Sequence, residues 1–263
     1  MPWAFRGLRN GIITSRWPRR VDHYFEEFPA AIRVTPGSDE TALSTAAAAC
    51  PTRAISVEPR PSLDRGRCIL CGRCVESAPD WFRWESGSAT AGLTRPSLVV
   101  GHVDESDEAL AELRAILARR VRRLRRSVHL RHIDTGSDGS DEWEIQALTN
   151  PVYDLHRLGI FFTASPRHAD ILLVTGIGAA AMMEPLRRTL DAMPAPTVVI
   201  AVGADAVSGG LIGGGYTGGV GVSDLVPVDV WVPGAPASPF SVLHGILLAL
   251  GRVASAPRGS STC

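Results

Sequence analysis

Four cysteines in the first third of the chain constrain its fold more than any other feature. Cys68, Cys71 and Cys74 are separated by two residues each, and Cys50 lies eighteen residues upstream, directly before Pro51. Thiolate sulfur is a soft ligand that selects zinc or iron–sulfur clusters. Runs of cysteine as tight as this one do not suit the geometry of a disulfide bridge. The spacing therefore predicts a loop that wraps around a metal centre.

The same spacing resembles the ligand pattern of bacterial ferredoxins, in which the last cysteine of each run serves the other of two clusters. The positions where a second cluster would need cysteine are Glu40, Leu43, Ala46 and Ala78. The pattern therefore predicts one [4Fe–4S] cluster, with the ligands Cys50, Cys68, Cys71 and Cys74. A zinc site is the alternative, but zinc sites usually consist of two separated Cys-x2-Cys pairs.

Composition narrows the class of protein. The 263 residues are enough for two modest domains, and the 27 basic and 27 acidic residues balance, so no overall attraction to nucleic acid is expected. Besides the four cluster ligands only Cys263 remains, which fits a reducing cytoplasm. The sequence has no apolar run near the ~20 residues of a membrane span, and Met1 to Arg20 lacks the core of a signal peptide.

Residues 1–27 form a candidate docking arm with no acidic residue before Asp22. Its arginines are Arg6, Arg9, Arg16, Arg19 and Arg20. They alternate with the apolar residues Trp3, Phe5, Leu8, Ile12, Ile13 and Trp17. Arginine mixed with tryptophan is typical of an anchor at a membrane surface. Packing on a partner subunit is the alternative, and the two interpretations are compatible.

The next segments predict an α+β, ferredoxin-like domain over residues 28–88. Short strands are expected at 32–34 and 54–57, on either side of an alanine-rich helix at 43–49. Residues 89–127 form a linker with a long helix, whose acidic start and arginine-rich second half follow the helix dipole. A solvated linker helix is the interpretation preferred over binding of RNA or anionic lipid.

The chain changes character from residue 128 onward. Apolar, β-branched runs at 171–174, 198–202 and 228–232 predict buried parallel strands, and a helical segment at 180–193 separates the first two. This alternation predicts an α/β domain with a parallel sheet over residues 128–254, followed by a flexible tail at 255–263.

Gly176 and Gly178 follow one of these predicted strands, as in a Gly-x-Gly-x-x-Ala dinucleotide loop. The acidic residue expected about twenty positions later, after the next strand, is late, because Asp205 lies 27 residues past Gly178. Nucleotide binding is therefore only an alternative interpretation of the C-terminal half.

An ordered series of residues in the C-terminal half occurs in a known family. These residues are Asp134-Thr-Gly-Ser137, Glu144-Ile, Asn150-Pro-Val-Tyr-Asp-Leu155, Gly159-Ile, Ala164-Ser-Pro-Arg-His-Ala-Asp170, Leu172-Leu-Val-Thr-Gly176, Leu186-Arg-Arg188, Met193-Pro, Pro227-Val-Asp229 and Val232-Pro-Gly234. They resemble the 20 kDa (B) subunit of NADH:quinone oxidoreductase (complex I) and the related small subunit of energy-converting [NiFe] hydrogenases and formate hydrogenlyase. The resemblance implies a flavodoxin-like fold. Trp3-Ala-Phe-Arg-Gly-Leu-Arg9 and the cysteine segment resemble the small ferredoxin-like subunit of the same complexes, so the chain looks like a fusion of the two.

In that family the B-type subunit holds a terminal [4Fe–4S] cluster with four cysteines. The corresponding positions in this chain are Asp138, Asp141, Asp205 and Ala235. Because four-iron clusters need soft sulfur, the resemblance implies that this second cluster is lost. The three acids could instead bind a divalent metal. The expectation preferred here is a former cluster cavity that is open to water or filled by an arginine or by Trp143.

The resemblance implies an electron-transfer subunit that is not catalytic alone. Its N-terminal domain would carry one [4Fe–4S] cluster, and its C-terminal domain would serve mainly as a scaffold. The implied partners are a hydrogenase-like or complex I-like large subunit and an integral membrane subunit, with quinone involved only indirectly and no nucleic acid. The implied location is the cytoplasmic face of the cell membrane, as a peripheral protein. A non-redox assembly subunit of the same kind of complex is the alternative.

Overall fold

The structure is a computed structural model that describes residues 3–101, 107–124 and 127–253. The predicted flexible tail, Cys263 and parts of the predicted long helix lie outside the described residues. None of the described helices is long and apolar enough to cross a membrane.

The N-terminal half contains five α-helices and five short strands within its described residues. They are α1 (Trp3–Asn10), α2 (His23–Glu27), β1 (Ala31–Val34), α3 (Glu40–Ala49), β2 (Ile55–Ser56), β3 (Ser62–Asp64), α4 (Arg73–Ser77), β4 (Phe82–Glu85), β5 (Val99–Val100) and α5 (Asp107–Arg120). Strands β1 and β4 pair antiparallel, and β2, β3 and β5 form a second antiparallel sheet. The short strands and the helix predicted from sequence are present, whereas the ferredoxin-like assignment of residues 28–88 stays a prediction.

The C-terminal half consists of five strands and four α-helices in the described part. They are β6 (Val128–Asp134), α6 (Ser140–Ala147), β7 (Ile160–Phe162), β8 (Ile171–Thr175), α7 (Met183–Asp191), β9 (Val198–Val202), α8 (Gly203–Ser208), β10 (Val230–Val232) and α9 (Pro239–Ala249). All five strands are parallel, in the spatial order β7-β6-β8-β9-β10. This is the 2-1-3-4-5 order of flavodoxin-like sheets. The predicted α/β domain with a parallel sheet is confirmed.

Burial explains why the sequences of the central strands are continuously apolar. Every residue of β8 and β9 is buried, because helices cover both faces of the sheet. All eleven residues of α9 are buried as well, which explains why this helix has no polar face.

The predicted linker helix packs on this core along one side. Leu110, Leu117 and Val121 are buried in the cluster that also contains β6 and α9, and a short 3₁₀ turn at Val121–Arg123 extends α5. Leu113 and Ile116 are 40% and 45% exposed, so only part of the apolar stripe is covered within the described residues.

One backbone bridge joins the two halves at the edge of the parallel sheet. The amide of Gly92 donates to the carbonyl of Trp231, and the amide of Trp231 donates to the carbonyl of Gly92, both at 2.9 Å. A short segment of the N-terminal half thereby pairs antiparallel with β10.

The arm predicted over residues 1–27 divides into two parts. Residues 5–13 are exposed, whereas Ser15 and Trp17 are buried. The amide of Ser15 donates to the carbonyl of Val152 at 2.7 Å, and the Trp17 ring stacks on Phe25 with 4.3 Å between ring centroids. Trp17 is thus part of the chain's own core, and its prediction as a docking residue is wrong.

Substituting Trp17 tests this assignment. We expect Trp17→Ala to lower the free energy of unfolding by about 3–5 kcal/mol, because a large ring is removed from a buried site. Leu8→Ala is the matched control, since Leu8 is 80% exposed and exposed sites usually change stability by less than about 0.5 kcal/mol. Chemical denaturation of both variants measures the difference, and equal losses would contradict the division of the arm.

Candidate functional site

The four predicted cluster ligands line one pocket in the N-terminal half. Cys50 lies at the C-terminal end of α3, Cys74 lies in α4, and Cys68 and Cys71 lie in the loop before α4. All four side chains border the same small cavity and carry free thiols. The structure therefore brings together the residues that the spacing selected.

The loop between Cys68 and Cys74 has an uncommon backbone. Leu70 and Gly72 adopt the left-handed conformation, with φ of 55° and 76°. Leu70 is a branched residue, for which a positive φ is rare and usually fixed by its surroundings. Turns that alternate between right- and left-handed residues form concave nests of amide groups, which occur in many iron–sulfur sites.

Two amides point at the sulfurs of this pocket. The Ala54 amide donates to Cys50 Sγ at 3.3 Å, and the Leu70 amide donates to Cys68 Sγ at 3.4 Å. Burial raises the pKa of the Cys68 thiol to about 12 and that of Cys74 to about 11, and the neighbouring thiols add to both increases. A bound metal centre would reverse this preference, because a coordinating thiol is deprotonated.

The donor set of the pocket suits an iron–sulfur cluster. Four thiols and amide donors surround one cavity, and soft sulfur ligands are those that iron–sulfur chemistry requires. Throughout the described ranges, no three His, Cys, Asp or Glu side chains lie close enough to hold a single metal ion. The cluster assignment itself stays a prediction.

The positions aligned with the second cluster lie at the carboxyl edge of the parallel sheet. Asp138 and Asp141 follow β6, Asp205 follows β9 and Ala235 follows β10. Ligands of open α/β sheets bind at this edge, where the strand order reverses. The local fold thus places the four positions where a cofactor would be expected.

Asp141 is the most deeply buried of the three acids, at 3% exposure. Its Oδ1 accepts a hydrogen bond from the Ala237 amide at 2.9 Å. Gly203 lies against the carboxyl group so closely that a Cβ atom there would meet Asp141 Oδ2 at 1.8 Å. Burial raises the pKa of Asp141 to about 8, with smaller increases from Glu142 and Asp205.

The other two acids are in different environments. Burial, together with the charges of Asp138 and Glu142, raises the pKa of Asp205 to about 6. Asp138 is more exposed, and hydrogen bonds from the hydroxyl and amide of Ser140 lower its pKa. The three acids therefore influence each other electrostatically, as the resemblance implied.

The expected filling of the former cluster cavity is not observed in the described residues. Trp143 is 73% exposed and points away from the core. The charges that raise the pKa of Asp141 and Asp205 are all carboxylates, and no described arginine contributes. The predictions that Trp143 or a paired arginine fills the site are wrong for this part of the chain.

Sequence reasoning missed a polar network beside these acids. The Thr175 hydroxyl donates to the Glu142 carboxylate, and His132 Nε2 lies 2.9 Å from the same hydroxyl oxygen. Burial lowers the pKa of His132, so the ring is neutral at physiological pH. The polar residues His132 and Thr175 inside apolar strands were the only signal, because both hydrogen bonds of this network join residues more than thirty positions apart.

The glycines of the alternative dinucleotide loop pack against the chain itself. A Cβ atom on Gly176 would meet the backbone of Gly136 at 2.7 Å, and one on Gly178 would meet the carbonyl of Gly221 at 2.6 Å. These contacts account for glycine at both positions without a bound phosphate.

Comparison with known proteins shows which protein family the C-terminal half resembles. Residues 139–249 match the family described as NADH ubiquinone oxidoreductase, 20 kDa subunit. A probable membrane-bound hydrogenase subunit of Pyrococcus furiosus is 38% identical over 134 residues, which cover 51% of this chain and 80% of the relative. The chain belongs to this family.

Two further similarities extend the comparison. Formate hydrogenlyase subunit 7 of Escherichia coli is 39% identical over 145 residues, which are 55% of this chain; this chain spans only 56% of that relative. A chain of the membrane-bound sulfane sulfur reductase, an archaeal respiratory membrane complex, is 25% identical in sequence, with a TM-score of 0.43. The similar region is 56% of this chain and 82% of the reductase chain. The family match begins after all four cysteines of the pocket.

The raised pKa of Asp141 gives this member of the 20 kDa family a defined pH dependence. The folded state keeps a proton on Asp141 that the unfolded state releases above about pH 4, so stability falls as pH rises toward 8. We expect Asp141→Asn to lose less stability than wild type between pH 5 and 8, by on the order of a few kcal/mol.

Thermal denaturation as a function of pH measures this difference. Asp138→Asn is the matched control, because the pKa of Asp138 is lowered and the group does not titrate in this range. Parallel stability curves for wild type and Asp141→Asn would show that the buried carboxyl is not the group that titrates.

Proposed function

We propose that this chain is an electron-transfer subunit of a hydrogenase-like or complex I-like complex. Its N-terminal half would hold a single [4Fe–4S] cluster on Cys50, Cys68, Cys71 and Cys74. The observation that supports this proposal is that these four thiols border one pocket, whose loop has the left-handed residues of an amide nest. A bound cluster supplies one-electron redox chemistry.

The protein residues around the pocket would tune that chemistry. The amides of Ala54 and Leu70 donate to two of the sulfurs, and such hydrogen bonds stabilise added negative charge and raise the reduction potential. Burial of Cys68 and Cys74 excludes water from one side of the pocket, while Cys71 is exposed and leaves the other side accessible. The exposed side is where an electron would enter or leave.

In the C-terminal half we propose a scaffold that has lost its own cluster. Asp138, Asp141 and Asp205 offer hard oxygen where a four-iron cluster needs sulfur, and Ala235 offers no ligand. The matched relatives include a membrane-bound hydrogenase subunit and a formate hydrogenlyase subunit. A hydrogenase-like or complex I-like large subunit and an integral membrane subunit are therefore the proposed partners. The second candidate is a non-redox assembly subunit, in which the same sheet serves only for docking.

The exposed part of the arm supports peripheral attachment to a membrane or to a membrane subunit. Phe5, Leu8 and Ile12 are 59%, 80% and 80% exposed, and Arg6 and Arg9 are exposed among them. Exposed apolar side chains next to arginine are the combination that an interfacial segment uses. We propose that this segment, residues 5–13, contacts the membrane surface or the membrane subunit of the complex.

Iron content separates the redox and non-redox candidates. Anaerobically purified protein is expected to contain about four irons per chain, the content of one cubane cluster. Cys71→Ser should remove most of the iron, whereas Cys263→Ser is the control that leaves it unchanged. Iron and sulfide assays with electron paramagnetic resonance measure the result. A protein without iron would favour the assembly candidate, and about eight irons would overturn the loss of the second cluster.

Truncation tests the membrane attachment. We expect removal of residues 1–13 to release the protein from membranes without changing its iron content, because Ser15 and Trp17 keep their contacts in the core. Sedimentation with membranes measures the attachment. The substitutions Arg6→Gln and Arg9→Gln in the full chain should weaken it in part, since anionic headgroups attract each arginine. Full sedimentation of the truncated protein would show that another surface is the anchor.

A further inference from the structure

An open cleft of about 500 Å³ lies beside the cysteine pocket. Its residues come from the turn after Cys50, from the β2–β3–β5 sheet, from the turn before Cys68 and from the segment before β5. They are Arg53, Ala54, Ile55, Ser56, Ser62, Asp64, Arg67, Arg95, Pro96 and Val99. The proposed electron-transfer function does not use this cleft, whose volume is in the range of small-molecule sites.

The charges of the cleft do not balance. Arg95 makes two hydrogen bonds to Asp64, at 2.7 and 2.6 Å, and Arg67 Nε lies 3.6 Å from the same carboxylate. Asp64 is the one acid among the lining residues, which include three arginines. The cleft therefore carries an excess of two positive charges, and a ligand with two negative charges would neutralise it.

Arg53 supplies part of that excess from a fixed position. It closes the turn after Cys50, because its amide donates to the Cys50 carbonyl at 3.2 Å, and it adopts the left-handed conformation with a φ of 52°. Its side chain is exposed at the cleft. Guanidinium groups bind carboxylate and phosphate in a planar, two-pronged geometry, which makes arginine the usual residue for such ligands.

The floor of the cleft is apolar and adjoins the proposed cluster site. Ile55, Pro96 and Val99 would cover the carbon skeleton of a ligand. Ala54 and Ile55 line both the cleft and the cysteine pocket, and the Ala54 amide donates to Cys50 Sγ. Only Ala54 would thus separate a molecule in the cleft from the Cys50 sulfur.

We propose that this cleft binds a small organic dianion, a dicarboxylate or a phosphate ester, and that its occupancy controls the ease of reducing the neighbouring iron–sulfur site. The second clause rests on the proposed function. A bound dianion opposes the addition of an electron by Coulomb repulsion, so occupancy lowers the reduction potential of the cluster.

Binding is tested on the full-length, anaerobically purified protein by titration calorimetry with succinate, inorganic phosphate and glycerol phosphate. We expect at least one of these probes to bind, and the double variant Arg53→Gln and Arg67→Gln to bind it at least tenfold more weakly. Arg83→Gln is the matched control, because Arg83 is exposed on β4, away from the cleft. The preferred probe identifies the anion as carboxylate or phosphate. Absence of binding by all three probes, or equal affinities in the double variant and the control, would overturn the proposal.

The coupling is tested by a redox titration with and without the bound probe. We expect a lower reduction potential with the probe in wild type and no shift in the double variant; an unchanged potential in wild type would overturn the coupling. The two proposals fail separately. Binding by an iron-free chain would reject the electron-transfer function and keep the anion site, whereas an intact cluster without binding would reject the anion site alone.

Discussion

Burial of both faces of the parallel sheet is the constraint on which the rest of the structure depends. Strands β8 and β9 have no exposed residue, so each face needs its own cover. One face is covered by α9 together with α5 and the segment around Trp17, and the other by α7, α8 and Leu98. Elements from the N-terminal half thus complete both cores. The cysteine pocket lies in a separate hydrophobic cluster, which a hydrogen bond of 2.9 Å from the Arg65 amide to the Leu98 carbonyl joins to this framework.

The sequence predicted those features that depend on local patterns. Apolar β-branched runs identified β8, β9 and β10, and the spacing of the cysteines identified four side chains that border one cavity. Strand β7 has only three residues and was missed, since so short an edge strand has no clear periodicity. The placement of Asp138, Asp141 and Asp205 at one edge of the sheet followed from a resemblance, because no local sequence pattern connects the loops that follow different strands.

Other features depend on tertiary contacts and could not be predicted. The composition of residues 1–27 suggested one docking arm, but Trp17 meets Phe25 and Phe240 in a core formed by distant parts of the chain. The hydrogen bonds between His132, Thr175 and Glu142 join residues more than thirty positions apart. Buried polar groups of this kind are high in energy unless they are paired, so their partners are fixed by the fold and not by sequence spacing.

The bridge between Gly92 and Trp231 has a consequence for how the two halves can exist. Strand β10 is the last strand of the parallel sheet, and the Gly92 segment pairs with its outer side. Unpaired strand edges are templates for intermolecular pairing and aggregation. A fragment that begins at Val128 would expose this edge together with the surface of α9 next to Ala91, whose amide donates to His244 Nδ1 at 3.3 Å. The residues before Val128 therefore protect this strand edge and this helix surface from pairing with other molecules.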